Sequence, residues 1–511
     1  MKVLLINSNQ EMTPWPVMPL GLCYIATSLE AQGYEVRVSD LCFVKKTQQF
    51  LMEEIKQFQP DAIGISIRNI DNVNLCHPFF YLESIRESVF KVCQRYSEAP
   101  IILGGPAIGI APELIMDYFG ADYAIAGEGE QAILDWLQFL QHQKFFKNFY
   151  YRAEDQKIAI PQMHSLPYRY PIHPQPFKWI RYLDYLKKGA SVNIQSKRGC
   201  VFNCLYCSYN QIEGHHYRLR DPVDVIDEVE EWLFHSSPKC FEFVDSTFNS
   251  PQSHAIKICE EIIRRSLKTS FTTMGLNPGC LSLELLQTMK ASGFHQGMCS
   301  PDSASPLMLE NLQKNFDLDD LKKSVELFKK VNLRIFWFFI LGGPGETKET
   351  VEETLNFCKK YIAPEDVIHF TIGFRVFPNT PLEKFLRQQY SLEGADLFFY
   401  PKFYCSPEIA PTEILKMIHQ EAKRFSNFIT YLDMELYDRI KQGVEFVFPQ
   451  RSVDHNWEKI PSINKNLNRL HLWNWFHKKQ QRNFKSFLQS NSNSLFCSLK
   501  ERVSDVILSS H

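Results

Sequence analysis

Three cysteines fall within the stretch Arg198-Gly-Cys-Val-Phe-Asn-Cys-Leu-Tyr-Cys-Ser-Tyr-Asn210, as Cys200, Cys204 and Cys207. Thiolates at such close spacing hold metals, and a structural zinc closes its shell with four ligands. Only His215 and His216 lie near enough in sequence to supply a fourth. A four-iron cluster on three cysteines instead keeps one iron with an open corner, and that corner can take a substrate atom directly. The spacing points to a reactive iron–sulfur site, with structural zinc and three unrelated core cysteines as its rivals. Other segments place polar residues or glycines where strands are expected to end. They are Phe243-Val-Asp-Ser-Thr-Phe-Asn249, Cys299-Ser-Pro-Asp-Ser303, Leu341-Gly-Gly-Pro-Gly-Glu-Thr347 and Gly373-Phe-Arg-Val-Phe-Pro-Asn-Thr380. The glycines allow close backbone approach to a ligand. Arg375 is a candidate anion contact.

The elements that must position these residues follow from the hydrophobic pattern. Residues 1–140 alternate apolar runs with helical patterns: Val3–Ile6, Tyr34–Val38, Ala62–Ile67, Ile101–Leu103 and Tyr123–Ala126 read as strands. A parallel sheet covered by helices results, and ligands of such sheets sit outside the strands' carboxyl ends. Residues 141–190 carry prolines at 161, 167, 171, 174 and 176 and read as a linker. Residues 191–400 alternate again, with strands near 192–196, 241–245, 270–274, 334–340 and 367–373, which predicts a partial or full β/α barrel. The cysteines then stand directly after its first strand. Residues 401–511 read as mostly helical, with an aromatic and basic stretch around Trp473, Trp475, Phe476, Lys478 and Lys479.

Composition narrows the class. The chain has 511 residues, 44% hydrophobic and 22% charged, as in ordinary globular proteins of two to four domains. A net charge of -2 without a long block of one sign gives no nucleic-acid or anionic-membrane footprint. The longest apolar run, Ile335–Leu341, is far too short for a membrane span, and MKVLLINSN is too short for a signal peptide. Fourteen scattered cysteines without an export signal imply reduced thiols and a cytoplasmic location.

The pattern C-x3-C-x2-C after a first barrel strand resembles that of the radical S-adenosylmethionine (SAM) enzymes. The resemblance implies that Cys200, Cys204 and Cys207 ligate a [4Fe-4S] cluster whose open iron chelates SAM. It places Tyr206 beside the adenine, Asp245 near the SAM amino group, Ser303 on the ribose side, and Glu346 at a further SAM contact. Asp245 departs from the common Gly-Gly-Glu form. An electron donor such as a flavodoxin or ferredoxin is implied as well.

The amino-terminal segments Pro19-Leu-Gly-Leu-Cys-Tyr-Ile-Ala26, Pro60-Asp-Ala-Ile-Gly-Ile-Ser66, Leu103-Gly-Gly-Pro106 and Gly127-Glu-Gly-Glu130 resemble a cobalamin-binding domain fused to such enzymes. By that resemblance Ser66, Arg68, Gly104, Gly105, Gly127 and Glu128 line the cobalamin site. Many cobalamin proteins ligate cobalt from below with a histidine in an Asp-x-His-x-x-Gly loop, but the first histidine here is His77. Arg68 stands near that position instead. This is similar to the branch containing tryptophan 2-C-methyltransferase, whose lower cobalt face lacks a protein ligand. An ion pair of Arg68 with Asp71 is the structural alternative.

The implied fold is α/β: a Rossmann-like cobalamin-binding domain, a radical SAM partial (β/α) TIM-type barrel and a helical carboxyl-terminal region. The implied activity is a cobalamin-dependent radical SAM methyltransferase, in which SAM supplies a methyl group and cobalamin carries it to a carbon of the substrate. A cyclase or rearrangement enzyme built from the same parts is one alternative, and a non-catalytic cobalamin or SAM sensor is another. The sequence assigns no catalytic residue and names no substrate, which could be a small molecule or a peptide.

Overall fold

The computed structural model describes residues 1–430 apart from 13–14, 76, 143–147, 154–157, 160–172 and 395, together with 433, 460–461, 464–465, 482, 484–486 and 495–496. The aromatic and basic stretch from Trp473 to Lys479 and the prolines at 161, 167 and 171 lie outside the described residues.

Strands β1 (Lys2–Asn7), β2 (Glu35–Asp40), β3 (Ala62–Ser66), β4 (Ile101–Gly104) and β5 (Tyr123–Ala124) form a parallel sheet in the order β2-β1-β3-β4-β5. Val3, Leu4, Leu5 and Ile6 are fully buried because helices cover both faces. Burying each such side chain contributes about 1.5–3 kcal/mol. The helices Leu20–Ala31 and Gly129–His142 pack on one face, and Thr47–Phe58 packs on the other. The order reverses between β1 and β3, which opens a crevice at their carboxyl ends beside Asn7 and Ser66. The stretch expected to be a linker supplies two more strands, β6 (Tyr150–Arg152) and β7 (Ile158–Ala159). They extend the sheet antiparallel at the β5 edge.

The second unit begins with β8 (Val192–Ile194), followed by a short antiparallel ribbon of β9 (Lys197–Arg198) and β10 (Arg218–Leu219). Then come β11 (Cys240–Phe243), β12 (Ser270–Thr273), β13 (Gln296–Asp302), β14 (Arg334–Leu341) and β15 (Val367–Ile372). The parallel pairs run β12-β11-β8 and β13-β14-β15, and bridges Phe271–Phe294 and Leu276–Cys299 join the two groups. The result is an open, partial barrel. The segment Cys299–Asp302 lies inside β13 rather than after it.

Past residue 372 the described residues combine strands with the helix Pro381–Tyr390. Strands β16 (Phe374–Arg375) and β17 (Phe403–Tyr404) pair antiparallel, β18 (Phe428–Thr430) joins the barrel beside β15, and β19 (Leu495–Phe496) pairs with β17. One helix, Pro411–Ala422, lies between β17 and β18. Met18, Cys23, Cys42 and Leu75 of the first unit pack into the same apolar cluster as the barrel.

Candidate active site between the two units

The loop bearing the cysteines is held at both ends by the β9–β10 ribbon, where Arg198 pairs with Arg218 and Lys197 with Leu219. The Cys200 amide donates to the Gly214 carbonyl at 3.1 Å. Gly199 sits at φ +91°, and a Cβ there would fall 2.0 Å from the His216 carbonyl oxygen, so only glycine fits. Glu213 accepts from the Gly199 amide at 3.0 Å and from Gln195 Nε2 at 3.2 Å.

Asp245, expected near the SAM amino group, is instead committed to this loop's base. Its carboxylate accepts from the Ser196 amide at 2.8 Å, the Ser196 hydroxyl at 2.5 Å and the Lys197 amide at 3.2 Å. Three donors on one buried carboxylate fix the turn that leads into the cysteines.

The three thiols lie close enough to act on one another. Burial pushes the Cys207 thiol up to about 12 and raises that of Cys204, with the neighbouring cysteines adding to both shifts. Lys314 opposes the rise at both positions. Thiolates crowded in this way call for a bound cation, and a [4Fe-4S] cluster fits because each thiolate meets a different iron. Among the described residues no three His, Cys, Asp or Glu side chains are grouped to hold a single metal ion. His215 and His216 are exposed.

Tyr206 donates to the Asp302 carboxylate, and its ring lies 5.2 Å from that of Phe374. Asp302 also pairs with Lys314 Nζ at 2.7 Å. Burial acts to lower the Lys314 pKa, but Asp302 and Cys204 beside it carry it above the ordinary lysine range. A bulge between Cys299 and Asp302, with Asp302 at φ +66°, turns Asp302 toward the cysteine loop. It leaves Ser303 on the opposite side. The Ser303 hydroxyl is buried 3.0 Å from Thr354 Oγ1 and accepts from the Ser305 amide at 3.1 Å. It faces the covering helix that carries Thr354.

Glu346 is likewise consumed by its own turn. It accepts from the Gly342 amide at 3.1 Å and from the Thr350 hydroxyl at 2.6 Å, and is fully buried. Burial raises its pKa, and the hydrogen bonds from Thr350, Gly342 and Gly343 oppose the rise.

A cavity of about 480 Å³ opens between the units. Ser66, Gly104 and Gly127 wall it from the first sheet, and Asn193, Val244 and Met274 from the barrel mouth. A Cβ on Gly104 would meet nothing within 4 Å, so that glycine leaves open room on the sheet side. Gly105 is a backbone requirement: it sits at φ +96°, with Ile67 O 2.5 Å from where a Cβ would be. A planar group laid across the strand ends meets no side chain at Gly104, so this wall fits the nucleotide tail of a cobalamin.

Arg68 lines the cavity and forms no hydrogen bond or ion pair with any described residue. Its charge acts on Tyr81 from one side and Tyr209 from the other, lowering both phenol pKa values against the rise that burial imposes. The Arg68–Asp71 pair does not form, because Asp71 is bonded at 2.7 Å to Nε of Arg375. Arg375, expected to contact an anion, is thus spent on an ion pair between the units. Its remaining N–H groups donate to the carbonyls of Val376, Phe398 and Phe399.

Glu128, expected at cobalamin, pairs with Arg218 at 2.6 Å. Its neighbour Glu130 pairs with Arg198 at 2.6 Å. Burial alone would raise the Glu130 pKa, but Arg198 overrides it and holds the carboxyl below its usual range. Gly109 completes the junction. A Cβ there would sit 3.1 Å from the Ile212 Cα, so the short helix Tyr209–Glu213 rests directly on the first unit.

The sequence reading missed Glu130, Glu213, Asp302 and Lys314 as site residues. Glu130 and Asp302 sat in segments already singled out, and Glu213 three residues past the cysteine stretch. Lys314 carries no local signal.

Two family models match the chain: a B12 binding domain over residues 13–136 and the Radical SAM superfamily over residues 194–358. An uncharacterized methyltransferase of Pyrococcus horikoshii is 28% identical over 88% of this chain and 95% of its own length. Tryptophan 2-C-methyltransferase of Streptomyces laurentii is 25% identical over 76% of this chain and 74% of its own. The structure of the radical S-adenosylmethionine methyltransferase TsrM from Kitasatospora setae, with cobalamin and a [4Fe-4S] cluster bound, superposes with a TM-score of 0.69. It is 23% identical and covers 76% of this chain and 75% of that one. The chain therefore carries an amino-terminal B12-binding domain followed by a radical SAM domain.

Proposed function

We propose that this chain is a cobalamin-dependent radical SAM methyltransferase acting on a carbon of its substrate. One observation carries the reading: Arg198 and Tyr209, which flank the cysteine loop, line a single cavity together with the glycine-edged strand ends of the first sheet. Cys200, Cys204 and Cys207 hold the cluster, with Tyr206 ordered beside it by Asp302 and Lys314. Ser66, Gly104 and Gly127 form the cobalamin wall, and Arg68 faces it as an unpaired cation. When bound, the cluster and cobalamin supply SAM activation and methyl carriage. The chain's own task is to hold these groups facing one another and to keep water from them. The ion pairs Arg198–Glu130, Arg218–Glu128 and Arg375–Asp71 set that spacing. An electron donor of the flavodoxin or ferredoxin class belongs to this reading. No helix among the described residues is long and apolar enough to cross a membrane.

The test begins with protein produced anaerobically with cobalamin and then desalted. Iron, sulfide and corrin are counted in one sample, with Cys204→Ala beside it. About four irons and one corrin per chain are expected, with iron lost in the variant. Incubation with SAM deuterated in its methyl group should then place label in a product heavier by one methylene unit plus deuterium. A product with no gain in carbon would replace methylation with cyclisation or rearrangement.

A further inference from the structure

Five acids line the cavity, and four of them are well supplied with donors. Glu128 and Glu130 face arginines, Glu213 accepts from the Gly199 amide and Gln195, and Glu11 accepts from Tyr81 and the Met12 amide. Glu242 is different. It is 3% exposed, lies mid-strand on β11, and accepts one hydrogen bond, from Asn193 Nδ2 at 3.1 Å. No cation accompanies it among the described residues.

The strand geometry says where this carboxyl points. Side chains two apart on a strand share a face, so Asn193 and Gln195 lie on one side of their chain and Glu242 and Val244 on one side of theirs. Register pairs Glu242 with Asn193. All four line the cavity, while Ile194, Phe241 and Phe243 turn into the core beneath the helices. Glu242 therefore stands at the inner end of the cavity, within the barrel mouth.

A buried carboxyl with one neutral donor is costly as an anion and is stabilised by an incoming cation. Burial pushes its pKa up to about 7, with Asn193 opposing the shift. Asn193 spends one of its two amide N–H groups on Glu242, so the pair offers a ligand mainly acceptors, the carboxylate and the amide oxygen, beside one remaining N–H. Trp15, Met18, Val244 and Met274 add apolar wall to the same cavity. The complement of this arrangement is an ammonium group on an apolar frame.

We propose that Glu242, held by Asn193, binds an amino group of the substrate and so selects an amine-bearing substrate. This rests on the methyltransferase reading above, because it takes the cavity as the substrate's chamber. Binding proceeds by proton exchange. The carboxylic acid releases its proton to solvent, and the carboxylate pairs with the ammonium group.

The test uses full-length protein whose iron and corrin content has been measured first, so failure to load cofactors counts against the methyltransferase reading alone. Calorimetric titration with 2-phenylethylamine and shorter alkylamines is run with saturating SAM, which keeps the SAM amino group out of the comparison. The matched anion, 3-phenylpropionate, serves as the control. Amine binding is expected with net proton release near neutral pH, read from the heats in two buffers of different ionisation enthalpy. E242Q, which keeps the Asn193 hydrogen bond, should weaken amine binding at least tenfold and abolish the proton release. Equal amine affinity in E242Q overturns the proposal, as does equal binding of 3-phenylpropionate. Absence of amine binding or of proton release in the wild-type protein overturns it too, and that measurement needs no variant to fold.

Discussion

Replacing Asp71 with asparagine removes the negative partner of Arg375 while keeping size and shape. Both side chains are 1% exposed, and the pair joins the first unit to β16 at 2.7 Å. Breaking a buried ion pair from one side leaves the other charge without compensation, which costs about 3–5 kcal/mol. At 1.4 kcal/mol per tenfold, that is roughly two to three and a half decades in the unfolding equilibrium. Arg375 cannot shed its charge to escape, because a guanidinium keeps its proton in proteins. Its donations to the carbonyls of Val376, Phe398 and Phe399 survive in Asp71→Asn, so the loss isolates the charge. Urea unfolding followed by tryptophan fluorescence reads the midpoint. Arg375→Met and the double variant complete a cycle, and the double variant should cost less than the two single losses added together. A midpoint for Asp71→Asn within about 0.5 kcal/mol of wild type, or simple additivity in the cycle, would refute the claim that this pair fastens the units.

Four other outcomes follow from the structure. Gly105→Ala should lose roughly 2 kcal/mol or more by thermal melting, from strain at φ +96° and collision with Ile67 O. Gly104→Ala should melt as wild type yet retain less corrin after desalting, since its Cβ enters only the cavity. Gly199→Ala should lose most of its iron while the first sheet stays folded, because the clash with His216 O displaces the loop at Cys200. Glu242 binds its proton more tightly in the folded chain than in the unfolded one. Its contribution is therefore complete below about pH 4.5 and is lost as pH rises through about 7. Between those limits wild type should fall relative to E242Q by on the order of 3 kcal/mol in denaturant titrations. Cys240, on the same strand face, is the titratable neighbour, and its thiol stays protonated across that range.

Much of the fold was written in local pattern. Runs such as Val3–Ile6 and Ala62–Ile65 are buried on both faces and read as strands without help from the rest of the chain. The cysteine loop was legible for the same reason, because its spacing is compact. Side-chain direction was not. The segment Cys299–Ser303 was singled out whole, with Ser303 given the ribose side by resemblance. A bulge that no residue type announces turns Asp302 toward the cysteine loop and Ser303 toward the covering helix. Glu346 and Asp245 looked available in sequence, and their partners Gly342, Thr350, Ser196 and Lys197 become visible only when the turns close. Arg375 found its carboxylate 304 positions away, beyond the reach of any pattern argument. Lys314 reaches the cysteines from a turn whose sequence is unremarked.

The arginine–glutamate contacts at the cysteine loop also bear on how the molecule is made. Glu128 and Glu130 leave the ribosome before Arg198 and Arg218, so the acidic edge is already in place when the loop emerges. The earlier unit then acts as a mould against which the later loop sets. A barrel produced by itself would carry Arg198, Arg218 and Arg375 without their carboxylates, two of the three close to where the cysteines must gather. Exchanging first units between related chains would succeed only where the acidic edge travels with them, so the junction, more than either unit, is the heritable piece.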